Sequence, residues 1–309
     1  MKNSAARAEG APALFTVPRS CYLCRGTRLA LRFEACGTPD GQPTAYKCTS
    51  FGHRVHPPIW GCLDCGLLFQ WPIPSPAKLT SAYAAVEDPL YLAEKANRYQ
   101  TFRKALRFLG PARGRRLLDV GAYCGYFLDV AHSAGFAAEG LELSTWAAGH
   151  ARSLGFRVMS ESLAARASSQ DRYDVLTLWD VVEHFADPRA ELAAAHRLLA
   201  PGGTIHVSTI DAASLIARLL GARWPWLMEM HLFYFDRSTL PMLLEELGFR
   251  VLATKGYTHT VSAGYLLRKV EASFPWLRLP ARLLRAAVPA QLPIPINLGD
   301  NMVVSAVKL

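Results

Sequence analysis

The chain contains no apolar run long enough to cross the hydrocarbon core of a bilayer. Its opening stretch, MKNSAARAEGAPALFTVPRS, is polar and alanine-rich with no sustained apolar segment. We therefore expect no secretory signal, a flexible tail over 1–19 and a cytoplasmic location. Acidic side chains are the scarcer charge, 25 Asp and Glu against 34 Lys and Arg, which leaves a net charge of +9. That excess fits a basic soluble enzyme. It also fits attraction to a phosphorylated substrate, a nucleic acid or an anionic membrane, and the count does not separate these. A further absence lies at residue 121, where the run GAYCGY lacks the G-x-G-x-x-G pattern because Tyr123 and Tyr126 fill the second and third glycine slots. A pyrophosphate must approach the backbone closely at the second glycine, so this loop speaks against a dinucleotide and for a ligand with no phosphate there.

A chain of 309 residues, 51% of them hydrophobic, can build one large domain and one small one. The large one is organised around LLDVGAYCGYF, residues 117–127. Leu117 to Val120 reads as a buried strand, Gly121 as its end, Gly125 as the start of a helix over 126–134, and 137–142 as a second strand closed by Glu142. A strand, a glycine turn, a helix whose free N–H groups face a ligand, and a second strand ending in an acid form the nucleoside-binding half of a doubly wound fold. In that half the acid takes the ribose hydroxyls. Ser144 should cap a helix over 145–154, followed by a strand over 155–159. Tyr173 to Leu178 is apolar enough to be a strand buried on both faces, and it delivers Trp179, Asp180, Glu183 and His184 to the carboxyl edge of the sheet. A histidine beside a carboxylate takes a proton from a hydroxyl near neutral pH, which makes Glu183 and His184 acid/base candidates. Asp187-Pro188 starts a helix, and Pro201-Gly202-Gly203 turns into a strand over 204–209. A helix over 238–247 and strands over 249–254 and 301–308 complete the pattern.

The small domain, residues 20–75, carries Cys21-x-x-Cys24 and Cys62-x-x-Cys65. Each pair places two thiolates on one tetrahedral ion, and together they complete a four-cysteine shell, so a structural zinc ion is expected and a redox role for either pair is the alternative. With all four positions used, such an ion has no open place for chemistry. The interval between the pairs is long, and the Thr38–Gly41 segment could loop out to absorb it. Cys36, Cys48, His53 and His56 within it are ordinary residues or substitute ligands. The module lacks the dense basic and aromatic pattern of a nucleic-acid-binding ribbon, and no nucleic acid is expected as a partner. Pro72, Pro74 and Pro76 mark a stiff linker, after which 76–110 reads as helices (77–86 and 91–109) that either cap a ligand pocket or pack on the sheet.

Taken together, LDVGAYCGYFLDVA, GLELS, YDVLTLWDVVEHFADP and RLLAPGGTIHVSTID, in this order, resemble the class I S-adenosylmethionine-dependent methyltransferases. The likeness is to a bacterial branch with an amino-terminal cysteine cluster, linked to sugar, cell-surface or secondary-metabolite methylation. It covers roughly residues 20–309, though Tyr123 stands where the family has a third glycine. The resemblance implies a Rossmann-like, doubly wound, mostly parallel seven-stranded sheet over 111–309 and a small-molecule acceptor. It implies that Asp119 organises the methionine portion of the cofactor and that Gly121, Tyr123, Gly125, Glu142, Leu143, Trp179 and Asp180 line its site. The adenine would lie against Ser162 and Leu163. Members use the Glu-His pair for capping and cofactor contact as well as for chemistry. Two other classes stay open, a nicotinamide oxidoreductase and a zinc-ribbon module on a degenerate, inactive fold.

Beyond the fifth strand, 211–220 reads as a helix and 223–235 as a loop unusually dense in aromatic residues. Placed over the transferred methyl, its rings would shape a pocket and favour a sulfonium. The alternative is that Trp224, Trp226 and Phe233 simply pack this loop on the core. His231 in this loop is the second candidate base. Finally, 266–290 intersperses Arg268, Lys269, Arg278, Arg282 and Arg285 with Leu, Phe and Trp, a basic amphipathic insertion that either touches a membrane surface or serves as a lid or packing insertion.

Overall fold

The computed structural model describes residues 17–37, 46–51 and 55–309. The Thr38–Gly41 loop, His53 and nearly all of the 1–19 tail lie outside them. In chain order the first strands are β1 (Leu29–Phe33), β2 (Ile59–Cys62) and β3 (Leu68–Gln70), followed by helices α1 (Pro76–Ala84), α2 (Pro89–Ala93) and α3 (Lys95–Ala105). Then come β4 (Arg116–Val120), α4 (Tyr126–Ser133), β5 (Ala137–Leu141), α5 (Thr145–Ser153), β6 (Val158–Met159), α6 (Leu163–Arg166) and β7 (Tyr173–Trp179). The remainder is α7 (Pro188–Leu198), β8 (Leu199–Ile210), α8 (Leu215–Leu220), β9 (Phe233–Tyr234), α9 (Thr239–Glu246), β10 (Phe249–Gly256), β11 (His259–Ser262), α10 (Ala263–Ser273), α11 (Arg278–Ala287), β12 (Pro293–Ile296) and β13 (Asn301–Lys308).

The main sheet has seven strands in the order β10-β13-β8-β7-β4-β5-β6. Strands β8 through β6 run parallel, and β13 enters antiparallel to both neighbours. This is the Rossmann-like, mostly parallel seven-stranded sheet that the sequence resemblance implies. From β4 the chain winds outward to β5 and β6, then returns to the other side of β4 through β7 and β8. The order therefore reverses between β4 and β7, and a crevice opens beyond their carboxyl ends, the place where open α/β sheets bind ligands. β4 and β7 are apolar because helices cover both faces: Leu117, Leu118, Val175, Leu176 and Leu178 are all fully buried.

Local differences from the sequence reading have local causes. The expected helix over 91–109 is two helices and a final 3-10 turn, because Asp88 caps α2 and accepts from the Tyr91 N–H at 3.3 Å, with Pro89 as the first helical residue. The helix over 211–220 begins only at Leu215, where Ser214 accepts from the Ala217 N–H at 3.3 Å. β6 is two residues long, and Ser162 caps the unexpected α6. β8 starts at Leu199, and the Pro201-Gly202-Gly203 segment is taken up by a slip in its pairing between Tyr173 and Val175. Residues 266–290 form two helices, α10 and α11, packed as a hairpin.

The amino-terminal module does not close on itself. Its sheet is β1-β2-β3-β9, and the last strand comes from the aromatic loop of the large domain, with Leu68 opposite Tyr234 and Phe69 opposite Phe233.

One buried histidine in the main sheet links folding to pH. His206 on β8 sits between Ser305 Oγ at 2.9 Å and Thr204 Oγ1 at 3.3 Å, and burial pushes its pKa down to about 4. The unfolded chain then binds this proton more readily than the folded one, so the stability contribution is complete above pH 6.5 and is lost as pH falls toward 4. Between these values the loss should be about 3 kcal/mol. Denaturant midpoints measured at pH 7 and pH 4.5 should fall less steeply in His206→Gln than in the wild type; parallel profiles would remove His206 from the account.

Candidate active site

Gly121 follows β4 with φ of +73°, and a Cβ there would lie 2.6 Å from Val181 Cγ2. Only glycine fits this left-handed, crowded turn. Tyr123 also has a positive φ, +46°. Its N–H donates to Glu142 Oε2 at 2.8 Å, while the Ser144 N–H donates to Glu142 Oε1 at 2.7 Å. Glu142, one residue past β5, thus ties the glycine turn to the edge of the next strand. Burial raises its pKa, partly offset by these backbone donors. The Tyr123 ring does not plug the crevice: its hydroxyl donates to Asp88 Oδ2 at 3.1 Å and its ring meets that of Tyr91 edge-on at 4.5 Å. Gly125, expected beside the cofactor, stands at the start of α4 with φ of +77°. A Cβ on it would meet Ala151 Cβ at 2.8 Å, so what it provides is close packing of α4 on α5.

Asp119 at the end of β4 is buried and accepts from Thr177 Oγ1 at 2.7 Å. Burial, reinforced by nearby Glu142, pushes its carboxyl up to about 8. Trp179 closes β7 stacked on Tyr257 at 5.5 Å, and its buried Nε1 has no hydrogen-bond partner. Asp180 takes a left-handed φ of +57° and accepts from Ser208 Oγ at 2.7 Å. Asp119, Gly121, Tyr123, Glu142, Leu143, Trp179 and Asp180 all line one cavity of about 770 Å³, with Ser162 and Leu163 also on its wall.

Glu183, His184 and His231 face the same cavity. The first two sit on a 3-10 turn after β7, and the loop carrying His231 is fixed to that turn by the Leu232 N–H donating to the Glu183 carbonyl at 2.8 Å. His184 Nδ1 donates to the Met230 carbonyl at 2.8 Å and His231 Nδ1 to the Trp226 carbonyl at 2.9 Å. A carbonyl only accepts, so in each neutral ring the lone pair lies on Nε2. The ring centroids are 5.0 Å apart. Burial lowers the pKa of His184, partly offset by the Met230 carbonyl, whereas burial and then Asp180 push Glu183 up to about 8. Trp224, Phe233 and Tyr234 are buried, so the aromatic loop packs on the core even as Trp226 and His231 reach the cavity.

Two cavity residues, Arg98 and Lys269, and Asp88, which is bonded to the cavity residue Tyr123, were not named as site residues by the sequence reading. Asp88 gathers Thr49 and Tyr123 in addition to capping α2, and its Asp-Pro pair carried the same helix-start signal as Asp187-Pro188. Arg98 lies with its guanidinium 4.8 Å from the Tyr91 ring and with a buried Nε that has no partner. Lys269, read only as one of the basic residues of the 266–290 insertion, turns inward. Its Nζ donates to the Ser50 carbonyl at 2.6 Å, beside the Tyr265 ring at 5.5 Å, and burial followed by Arg98 lowers its pKa to about 7. The rest of that insertion leaves Trp276, Leu279 and Leu283 exposed beside Arg278 and Arg282. Among the described residues no helix is long and apolar enough to cross a membrane.

In the amino-terminal module, Cys21 Sγ is 3.6 Å from Cys65 Sγ, and Cys24 Sγ is 3.5 Å from Cys62 Sγ. Tetrahedral zinc–thiolate bonds place sulfurs roughly 3.8 Å apart. The Leu23 and Asp64 N–H groups each donate to the first sulfur of their pair at 3.4 Å. The residues after each second cysteine, Arg25 and Gly66, take the left-handed turn that brings both sulfurs to one point. These cysteines fit a zinc ion. Cys36 and His56 pair through their backbones away from the cluster.

A protein-family model described as a methyltransferase domain matches residues 93–254. Among curated proteins the chain is similar to the ubiquinone biosynthesis O-methyltransferase of Methylococcus capsulatus, 37% identical over 35% of this chain and 48% of that protein. It is also similar to that of Burkholderia pseudomallei, 28% identical over 47% of this chain and 69% of that protein. The chain thus spans about half the length of the first of these relatives. A chain from the complex between the Haloferax volcanii Trm112 methyltransferase activator and a putative methyltransferase superposes with a TM-score of 0.51 at 15% identity, covering 72% of this chain and 99% of that one, which shows a shared fold.

Proposed function

Because the chain belongs to the methyltransferase-domain family, we propose that it is an S-adenosylmethionine-dependent methyltransferase that methylates a hydroxyl oxygen on a small, largely apolar acceptor, with a structural zinc ion held by Cys21, Cys24, Cys62 and Cys65. The observation that carries this reading is the placement of Glu142 and Asp119 around the Gly121 turn, at the sheet's reversal point and on the wall of the same cavity as His184 and His231. When bound, S-adenosylmethionine supplies a methyl made electrophilic by its sulfonium. In this reading Glu142 accepts from the ribose hydroxyls, as the acid after the second strand does in doubly wound folds. Asp119 lies where a buried carboxylate meets the cofactor's positive charge, and Arg98 offers its unpartnered Nε–H to the carboxylate. What remains for the protein is to hold the acceptor oxygen in line with the methyl and to relieve it of its proton, a task for the Glu183, His184 and His231 group.

Transfer to oxygen is supported by the relatives named as O-methyltransferases. The apolar lid side of the cavity, including Leu220, Phe274, Trp276 and Leu277, favours an aromatic or aliphatic acceptor over a sugar. The full chain, given S-adenosylmethionine with a labelled methyl and a panel of alkyl-substituted phenols, catechols and free sugars, should label the ring hydroxyls of the apolar compounds. Label on sugars alone, or on carbon or nitrogen alone, would overturn the proposed acceptor class.

A further inference from the structure

We propose that Lys269 sets the specificity of the acceptor site by binding a carboxylate carried by the acceptor, so that the substrate class is an arene with a hydroxyl at one end and one carboxylate on a short arm at the other. The inference rests on the methyltransferase reading for what happens to the hydroxyl; the anion site stands on its own geometry.

The segment that carries Lys269 holds it at the cavity. Glu94, between α2 and α3, accepts from the Ser262 N–H at 2.8 Å and from the Ser262 hydroxyl at 2.5 Å, and Ser262 caps α10 by accepting from the Tyr265 N–H at 3.0 Å. From that anchor Tyr265, Leu266, Lys269, Val270 and Ser273 follow helical spacing and line the cavity. Lys269 is the charged member of this inward face, while Arg268 and Glu271 lie off the cavity wall.

The ammonium has a cage but no countercharge. Its Nζ is 5.4, 5.8 and 5.5 Å from the ring centroids of Phe51, Trp226 and Tyr265 and donates to the Ser50 carbonyl at 2.6 Å. An ammonium has three donors, so two remain for a ligand. Among the described residues no carboxylate lies within ion-pair reach of Lys269, nor of Arg98, the next cation on the wall. Burial and Arg98 both disfavour the charge on Lys269. A bound carboxylate opposes both effects at once.

The two cations face different ends of the cavity. Arg98, which serves the cofactor carboxylate in the reading above, stacks on Tyr91, whose ring meets Tyr123 at the glycine turn. Lys269 looks toward the acceptor side, where the Trp226 ring is 5.8 Å from its Nζ and 6.2 Å from the His231 ring. An arene lying against Trp226 reaches the ammonium with one end and the His184 and His231 pair with the other. One ammonium balances the single charge of a carboxylate; the second charge of a phosphate would find only Arg98, which the cofactor occupies.

The probes are dihydrocaffeate, a catechol with a two-carbon arm ending in a carboxylate, and its uncharged methyl ester. Calorimetric titration of the full chain saturated with S-adenosylhomocysteine should show the acid binding at least tenfold more tightly than the ester. Lys269→Met keeps the apolar stem; it should weaken the acid at least tenfold and leave the ester, and S-adenosylmethionine, within threefold. In Lys269→Glu, dopamine, with an amine at the end of the same arm, should bind more tightly than the acid. The wild-type comparison needs no variant, so a variant that fails to fold does not shelter the proposal. Equal weakening of acid and ester in Lys269→Met would reduce Lys269 to a strut between α10 and Ser50 and overturn the proposal. A loss of S-adenosylmethionine affinity with the acid preference intact would assign it to the cofactor carboxylate and overturn it too, as would a wild type that binds neither probe or prefers the ester. Tight, Lys269-dependent binding of the acid with no methyl transfer from S-adenosylmethionine in the same samples would uphold the anion site and sink the functional reading instead.

Discussion

Replacing Glu142 with alanine is expected to weaken S-adenosylmethionine binding by more than a hundredfold. A hydrogen bond to a buried carboxylate is worth about 1.5–3 kcal/mol, and the proposed pair to the two ribose hydroxyls therefore comes to about 3 kcal/mol or more. The same carboxylate also holds the N–H groups of Tyr123 and Ser144, at 2.8 and 2.7 Å, so the alanine variant loosens the glycine turn as well as losing the ribose. Glu142→Gln keeps one acceptor oxygen and should lose only about tenfold, since a neutral acceptor makes weaker bonds. Calorimetric titration of both variants separates these effects, with thermal unfolding as a control for the fold. Affinity within threefold of the wild type in Glu142→Ala would remove Glu142 from the cofactor site.

Removing the proposed zinc ion should cost turnover far more than cofactor affinity. A structural zinc site of this kind contributes roughly 10 kcal/mol or more to ordering the segment that carries it. Here that segment is paired with the large domain: β3 lies against β9, and the Gln70 N–H donates to the Leu232 carbonyl at 2.8 Å while its Nε2 donates to the Met228 carbonyl at 2.5 Å. The same loop supplies the Trp226 and Met230 carbonyls that orient His231 and His184. Without zinc the loop loses its sheet partner and the rings lose their anchors. Cys62→Ser, or the wild type treated with a strong chelator, should lose at least a hundredfold in methyl transfer. S-adenosylmethionine affinity should fall by no more than about tenfold, because Gly121 and Glu142 lie just past the ends of β4 and β5, on segments other than this loop. Equal losses in both quantities would mean that the module supports the whole fold rather than the acceptor side.

How much of this the sequence disclosed follows from the range of the interactions involved. The β4–turn–α4–β5 unit is local, and its pattern of Leu117, Leu118, Gly121 and Glu142 was readable because strand, turn and acid lie within about 25 residues of one another. The cysteine pairs were readable because C-x-x-C fixes two ligands by itself. Gly125 was ambiguous because a glycine at a helix start serves a ligand or a neighbouring helix equally well, and the sequence does not show the Ala151 contact that its missing side chain permits. Lys269 stayed open for a similar reason: an amphipathic pattern gives the polar face of a helix but not whether that face turns to solvent or to a polar cavity. Most hidden was the borrowing of β9. A two-residue strand inside an aromatic loop has no periodicity to detect, and its partner β3 lies some 165 residues earlier in the chain. The convergence of His184 and His231 depends on that same long-range pairing, which is why the sequence offered them as rival bases and the structure places them side by side.

The central claim is that the crevice beyond β4 and β7 is an S-adenosylmethionine site in a working enzyme. Calorimetric titration of the zinc-loaded full chain with S-adenosylmethionine, and with NAD as the comparison ligand, tests it most directly. The account predicts saturable binding of S-adenosylmethionine with one site per chain, and no heat from NAD. Binding of NAD in its place, or of neither ligand, would contradict it.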